Sequence, residues 1–242
     1  MNEYDYSNVN GFNTAVQAEN EMTLQRYVAA VMRKVYGKMF IGLLLTAVTS
    51  FVILSSTTLL SLFFSNQLVM WGFFAAELGL VIYLSARLDK LSNGTAAALF
   101  YGYSVLNGIT LTPIFLAYTG ASIAMTFAIT AGTFGAMSIF GYVTRQDLSR
   151  IGSILFMALI GLILCTLVNL FLQSSTMDWI ISIAGVLIFV GLTAWDTQAI
   201  KRMAASTDQT GISKVATMGA LTLYLDFINL FLYLLRFFGN RD

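Results

Sequence analysis

The chain has 242 residues, 57% of them hydrophobic and only 10% charged, with a net charge of +1 and a mean hydropathy of +0.77. A soluble domain carries about 25% charged residues, so this surface is short of charge for water. The chain has no histidine. That removes Ser-His and Cys-His nucleophile pairs, imidazole metal ligands and the usual switch near neutral pH, and no basic run suggests nucleic acid.

The charges are also segregated. Residues 39–76, 91–144 and 151–177 contain no Asp, Glu, Lys or Arg, and each run exceeds the roughly 20 apolar residues that cross a bilayer core. A buried soluble core could supply one such run but not three. Continuous apolarity, in place of alternation, argues against a β-barrel. The expected class is an all-α integral membrane protein with seven transmembrane helices.

Residues 1–21 are polar and slightly acidic, show no helical stripe, and read as a disordered tail. They lack the basic start and apolar centre of a signal peptide. The remainder, 22–242, reads as a single seven-helix membrane domain. Residues 22–38 carry Arg26, Arg33, Lys34 and Lys38 among apolar residues, which suits a juxtamembrane helix whose basic side meets anionic headgroups. The expected spans are 37–58, 68–87, 95–117, 121–143, 151–173, 178–201 and 215–238. Their breaks fall at Ser65-Asn66-Gln67, Ser92-Asn93-Gly94, Tyr118-Thr119-Gly120, residues 145–150, Gln173 to Ser175, and 204–214. Pro113, in the third span, is the place for a kink. Ala128, Gly132 and Ala136, at four-residue spacing, would permit close helix contact. The single Cys165 lies in an apolar run and reads as a small core residue.

Eleven of the thirteen Lys and Arg residues precede the first span or fall in alternate loops. The positive-inside rule therefore places the N-terminus in the cytoplasm. Arg236 and Arg241 would lie outside if the last segment crosses completely, and inside if it is re-entrant; the full crossing is favoured because 24 residues suffice.

An ionisable side chain within a span costs roughly 2.5–3.5 kcal/mol on insertion scales, so Glu77, Asp196 and Asp226 are the informative residues. Thr222, Asp226, Asn229, Tyr233 and Arg236 recur at helical spacing and form one stripe on the last span, whose other faces are Leu, Phe and Ile. Asp196 lies near the cytoplasmic end of the sixth span, about a turn from Lys201. It could be a plain interfacial carboxylate, just as Asp226 could be a buried acid satisfied by Asn or Thr. Both spans approach their common loop, so the two could meet across a helical hairpin. If they meet, they cannot easily both ionise and would share a proton. In a chain without histidine they are the candidate pH sensor, with the proton-sharing state locking the two helices and deprotonation pushing them apart. Glu77 and Arg87 lie ten residues apart on one helix, pointing roughly 80° apart, so each should pair with other helices. Glu77, with Asn229, is a candidate for an ion path. Arg87 is either a latch for an aspartate or a boundary marker. Tyr103, Asn107 and Thr110 make a weaker polar stripe on the third span, suited to interhelical hydrogen bonds.

The chain resembles the transmembrane Bax-inhibitor-motif family, founded on Bax inhibitor one, over about residues 30–238. The matching segments include Lys34-Val35-Tyr36-Gly37, Gly132-Thr133-Phe134, Gly141-Tyr142-Val143-Thr144 and Asp147-Leu148-Ser149. The distinctive ones are Ala194-Trp195-Asp196-Thr197-Gln198-Ala199-Ile200 and Leu223-Tyr224-Leu225-Asp226-Phe227-Ile228-Asn229-Leu230-Phe231. The resemblance implies seven helices with the last central and surrounded by the other six, and a pH-sensitive calcium leak. It implies that Asp196 and Asp226 are the proton-sharing sensor, and it makes Arg87 the candidate match for a latch arginine. Trp195 stands where the family usually has tyrosine, and the lysine-rich C-terminal tail of the endoplasmic-reticulum members is missing. The first is a conservative change; the second points to a bacterial cytoplasmic (inner) membrane protein.

The expected partners are therefore the lipid bilayer, calcium ions and protons, with calcium as transported ion, no other cofactor and no enzymatic activity. Carboxylate oxygens are hard ligands suited to Ca²⁺, which makes Asp196 and Asp226 the candidate calcium ligands, although three scattered acids form no recognisable site by spacing. An intramembrane aspartyl protease also needs two aspartates on adjacent spans. It requires a Gly-x-Gly-Asp motif, however, and here Leu223-Tyr224-Leu225 precedes Asp226. A proton-coupled transporter and a regulatory scaffold for other membrane proteins are the remaining alternatives.

Overall fold

Helix follows helix with only short breaks, because most breaks in the sequence carry a side chain that can cap the helix after it. The computed structural model describes residues 6–208 and 211–240. Among the described residues eight α-helices run in order: α1 (Tyr6–Leu54), α2 (Thr57–Phe64), α3 (Gln67–Arg87), α4 (Asn93–Ala117), α5 (Gly120–Val143), α6 (Ser149–Leu172), α7 (Ser175–Ser206) and α8 (Ile212–Phe238). All but the eight-residue α2 are long and apolar enough to cross a membrane. The side chains of Ser56, Asn66, Ser92, Thr119 and Ser174 accept a backbone N–H of the first turn of α2, α3, α4, α5 and α7 respectively. Such caps satisfy donors that a helix start leaves unpaired. Gln173 closes α6 in the left-handed region, at φ 50°.

The expected spans coincide with α3 to α8 to within a few residues, and α4 continues through Pro113. Two expectations at the N-terminal end are corrected. The first span stops at Leu54, where Ser55 and Ser56 turn the chain into the short α2. The expected disordered tail also differs. Residues 1–5 lie outside the described residues, but Tyr6 to Glu21 form the opening turns of α1. Adding a residue to an existing helix is cheap compared with nucleating one, and the segment contains no proline to stop it.

The last helix is central. In its most apolar stretch 67% of residues are buried, against 6% for α3 and 11% for α6. α8 packs against α7, α1, α5 and α4, while α3 leans mainly on α4 and α6 mainly on α7. α8 also runs the full length of the bundle. Its last turn meets the start of α7, where Arg236 pairs with Asp178 at 3.5 Å, and Asn240 accepts the Thr119 N–H at 3.1 Å beside the α4–α5 turn.

Burial inverts the usual rule for small residues. Ala128, Gly132 and Ala136 are exposed on the outside of α5, so they make none of the expected helix contact. The inward face of α5 is Ser122, Thr126, Thr130, Phe134, Ser138 and Gly141. Alanine and glycine cost nothing against lipid tails, whereas hydroxyls gain by leaving them. Cys165 is likewise exposed, not buried as expected. Large exposed apolar side chains such as Phe40, Phe51 and Phe171 cover the bundle surface.

Candidate functional site

α7 and α8 form an antiparallel hairpin, and this brings together the two aspartates whose contact straight-helix counting leaves open. Asp226 is 4% exposed, and its carboxyl group interacts with that of Asp196. The second oxygen of Asp226 has no hydrogen-bond partner. A hydrogen bond between two carboxyl groups needs a proton on one of them, since an ionised carboxylate only accepts.

Among the described residues neither aspartate forms an ion pair. The ion pairs among the described residues are Asp147 with Arg202 and Asp178 with Arg236. Lys201, one turn beyond Asp196, turns away: its Nζ donates to the Tyr142 carbonyl at 2.7 Å and sits 4.9 Å from the centre of that tyrosine ring. Arg87 is exposed at the end of α3, with no hydrogen bond or ion pair to either aspartate among the described residues. The structure therefore does not bring the candidate latch to the pair. Among the described residues no three acidic, His or Cys side chains converge to hold a metal ion.

Glu77 pairs across helices, as its position on α3 leads one to expect. Its carboxylate accepts from the Asn107 amide and from the Thr110 hydroxyl at 2.8 Å, and it interacts with Tyr103. The weak polar stripe of α4 is thus the partner of Glu77. These groups line a cavity of about 590 Å³ between α3, α4 and α8 that also includes Asn229. A second cavity of about 340 Å³, lined by Tyr118, Tyr233 and Arg236, shares Asn229 and Leu232 with the first. Together they follow α8 from its C-terminal end to within one turn of Asp226. The side-chain amide oxygen of Asn107, Oδ1, is buried there without a hydrogen-bond partner among the described residues.

Two further polar groups escaped the sequence reading. Tyr224 is fully buried; its hydroxyl lies 2.6 Å from Thr46 Oγ1, and Thr46 also donates to the Ser104 carbonyl at 2.9 Å, joining α1, α4 and α8. Gln198 clamps the α5–α6 turn, accepting the Leu148 N–H at 2.9 Å and donating to the Gln146 carbonyl at 2.8 Å. Arg202 completes the clamp through Ser149 at 2.7 Å and Asp147 at 2.5 Å. The Arg202 guanidinium and the Ser149 backbone N–H hold the Asp147 carboxyl well below the usual carboxylate range. Much of the distinctive segment around Asp196 therefore serves to fix a turn. The only signal for this was the crowding of polar residues into Asp196-Thr197-Gln198 and Lys201-Arg202.

Known proteins show the same architecture of sequence. Residues 28–242 match the family described as inhibitor of apoptosis-promoting Bax1. The chain belongs to the Bax inhibitor family. It is 52% identical over 221 residues to the inner membrane protein YbhL of Escherichia coli K12, covering 90% of this chain and 93% of that one. An uncharacterized protein of Borreliella burgdorferi is 49% identical over 212 residues, 87% and 91% of the two chains. An uncharacterized membrane protein of Streptococcus pyogenes is 38% identical over 230 residues, 94% and 98% of the two. The family match contains both aspartates, Glu77 and Asn229.

Proposed function

We propose that this Bax inhibitor family protein is a pH-sensitive calcium leak, gated by the Asp196–Asp226 pair. The observation that carries the reading is the interaction between two carboxyl groups of adjacent helices, neither of which forms an ion pair among the described residues. While one proton is shared, the hydrogen bond ties α7 to α8. When it leaves as pH rises, two anions in a poorly solvated site repel, and the helices separate. The cavities around Glu77 and Asn229 supply oxygen ligands of the kind Ca²⁺ prefers and stop one turn short of the gate. Calcium and protons are then the ions handled, with no enzymatic role.

The test is calcium influx into dye-filled liposomes at pH 6, 7 and 8. Influx should rise with pH in the wild type and stay flat in Asp196→Asn and Asp226→Asn. A pH dependence that survives both substitutions would sink the gate. No influx above empty liposomes at any pH would favour the scaffold, and saturable proton-driven uptake would favour the transporter. Glu77→Gln, in the same assay, should lower influx by about tenfold at every pH, the equivalent of about 1.4 kcal/mol of lost attraction for the cation, without changing the pH profile. An unchanged rate would remove Glu77 from the path.

We further infer a multi-pass location in the cytoplasmic membrane of a bacterium, with the N-terminus inside. The Lys and Arg distribution and the inner-membrane relative support it. Cysteines placed at Ser92 and at Thr119 should be labelled by an impermeant reagent only from the cytoplasmic and only from the external side, respectively. The reverse pattern would invert the topology.

A further inference from the structure

α1 and α5 each pack on α7 and α8 but barely on each other. Between them runs a groove of about 440 Å³ whose walls are almost wholly apolar, lined by Arg33 and Tyr36 of α1 and by Phe134, Gly135, Ser138 and Tyr142 of α5, among others. Three features set it apart from the rest of the lipid-facing surface. Arg33 is exposed at its edge, and its guanidinium makes no hydrogen bond or ion pair among the described residues. Ser138 is 5% exposed, yet its hydroxyl has no hydrogen-bond partner. A Cβ added at Gly135 would meet nothing within 4 Å, so the groove is open there.

We propose that this groove is a binding site for one anionic phospholipid. An acyl chain fits an apolar slot of this size, and the phosphate belongs on Arg33. A phospholipid carries ester carbonyls directly beneath its phosphate, and these are acceptors for an unpartnered hydroxyl such as that of Ser138. A basic side chain near an anionic membrane surface contributes about 1 kcal/mol, enough for preference among lipids without making the site irreversible. The surrounding basic residues Arg26 and Lys34 keep the local potential positive. The groove also borders the moving parts. Phe134 packs edge-on against Phe227, the neighbour of Asp226, with ring centres 5.4 Å apart, and Tyr142 holds Lys201 of α7. Neither contact involves the aspartates themselves, so binding stands independently of the leak.

Native mass spectrometry of the purified full chain, titrated with phosphatidylglycerol or with phosphatidylcholine of the same acyl chains, tests the site. One phosphatidylglycerol should be retained at concentrations where phosphatidylcholine is not. Arg33→Gln should weaken phosphatidylglycerol by about fivefold, and Arg33→Lys should restore most of the preference. Gly135→Leu, whose Cβ has open space and whose side chain would occupy the groove, should remove the retained lipid altogether while the protein stays folded by circular dichroism. Equal retention of the two lipids, or no effect of Gly135→Leu, would overturn the proposal. So would displacement by inorganic phosphate at concentrations similar to the lipid's, which would mark Arg33 as an anion contact with no acyl chain behind it.

Discussion

Replacing Gly141 by alanine should destabilise the bundle by about 1–3 kcal/mol, the range for forcing atoms into a packed interface. Gly141 is where α5 crosses α7, and a Cβ there would overlap the carbonyl oxygen of Ala194 and lie 2.8 Å from its carbonyl carbon. Those are backbone atoms and cannot rotate aside, so the helices must part. The control is Gly132→Ala, nine residues earlier on the same helix. A Cβ at Gly132 meets nothing within 4 Å, and replacing a mid-helix glycine by alanine is worth about 0.5–1 kcal/mol of added stability. Thermal unfolding in one detergent should therefore move in opposite directions for two identical chemical changes. Equal shifts would mean that α5 and α7 do not approach as described. The crossing lies two residues from Asp196, so Gly141→Ala should also disturb the pairing with Asp226.

That contrast shows what the sequence carried and what it hid. Breaks between helices were legible because capping is local: Asn66, Ser92, Thr119 and Ser174 act on residues two or three positions away. The aspartates were legible because an ionisable group inside an apolar run is costly wherever it points. Which face of α5 turns inward was not. Small residues at four-residue spacing are compatible both with close packing and with plain exposure to lipid, and only the hydroxyls of Ser122, Thr126 and Thr130 on the opposite stripe decided it. Partners distant in sequence were equally hidden. Nothing near Arg236 announces Asp178, and Tyr224 reads as one more aromatic until Thr46 is placed against its hydroxyl. Arg87 stood open between a latch and a boundary marker. A basic residue at a span's end serves as a boundary marker without any partner, so its position alone could not make it a latch. The start of α1 was missed because a polar segment was judged by its own composition, although it continues a helix already paid for by the membrane span.

The purified protein should lose thermal stability as pH rises from 6 to 8, and Asp226→Asn should not. In the unfolded chain both aspartates are ionised throughout that range, because an unperturbed aspartate titrates near 3.9. In the folded chain the hydrogen bond between the two carboxyls exists only while one of them holds a proton. With the proton shared as proposed, the folded state binds more protons than the unfolded state, and linkage makes stability fall with rising pH, by at most about 1.4 kcal/mol per pH unit for a single proton. Few other groups can supply that slope. The chain has no histidine, and the Asp147 carboxyl, held down by Arg202, stays ionised from pH 6 to 8, so its ion pair would be lost only in strong acid. An asparagine at 226 donates its amide N–H to the Asp196 carboxylate without needing a proton, which keeps the contact and removes the slope. Asp226→Leu should behave differently again, leaving Asp196 half-buried without a partner and lowering stability at every pH. A melting temperature that falls as steeply in Asp226→Asn as in the wild type would show that the shared proton lies elsewhere, and would remove the basis for gating at this pair before any ion flux is measured.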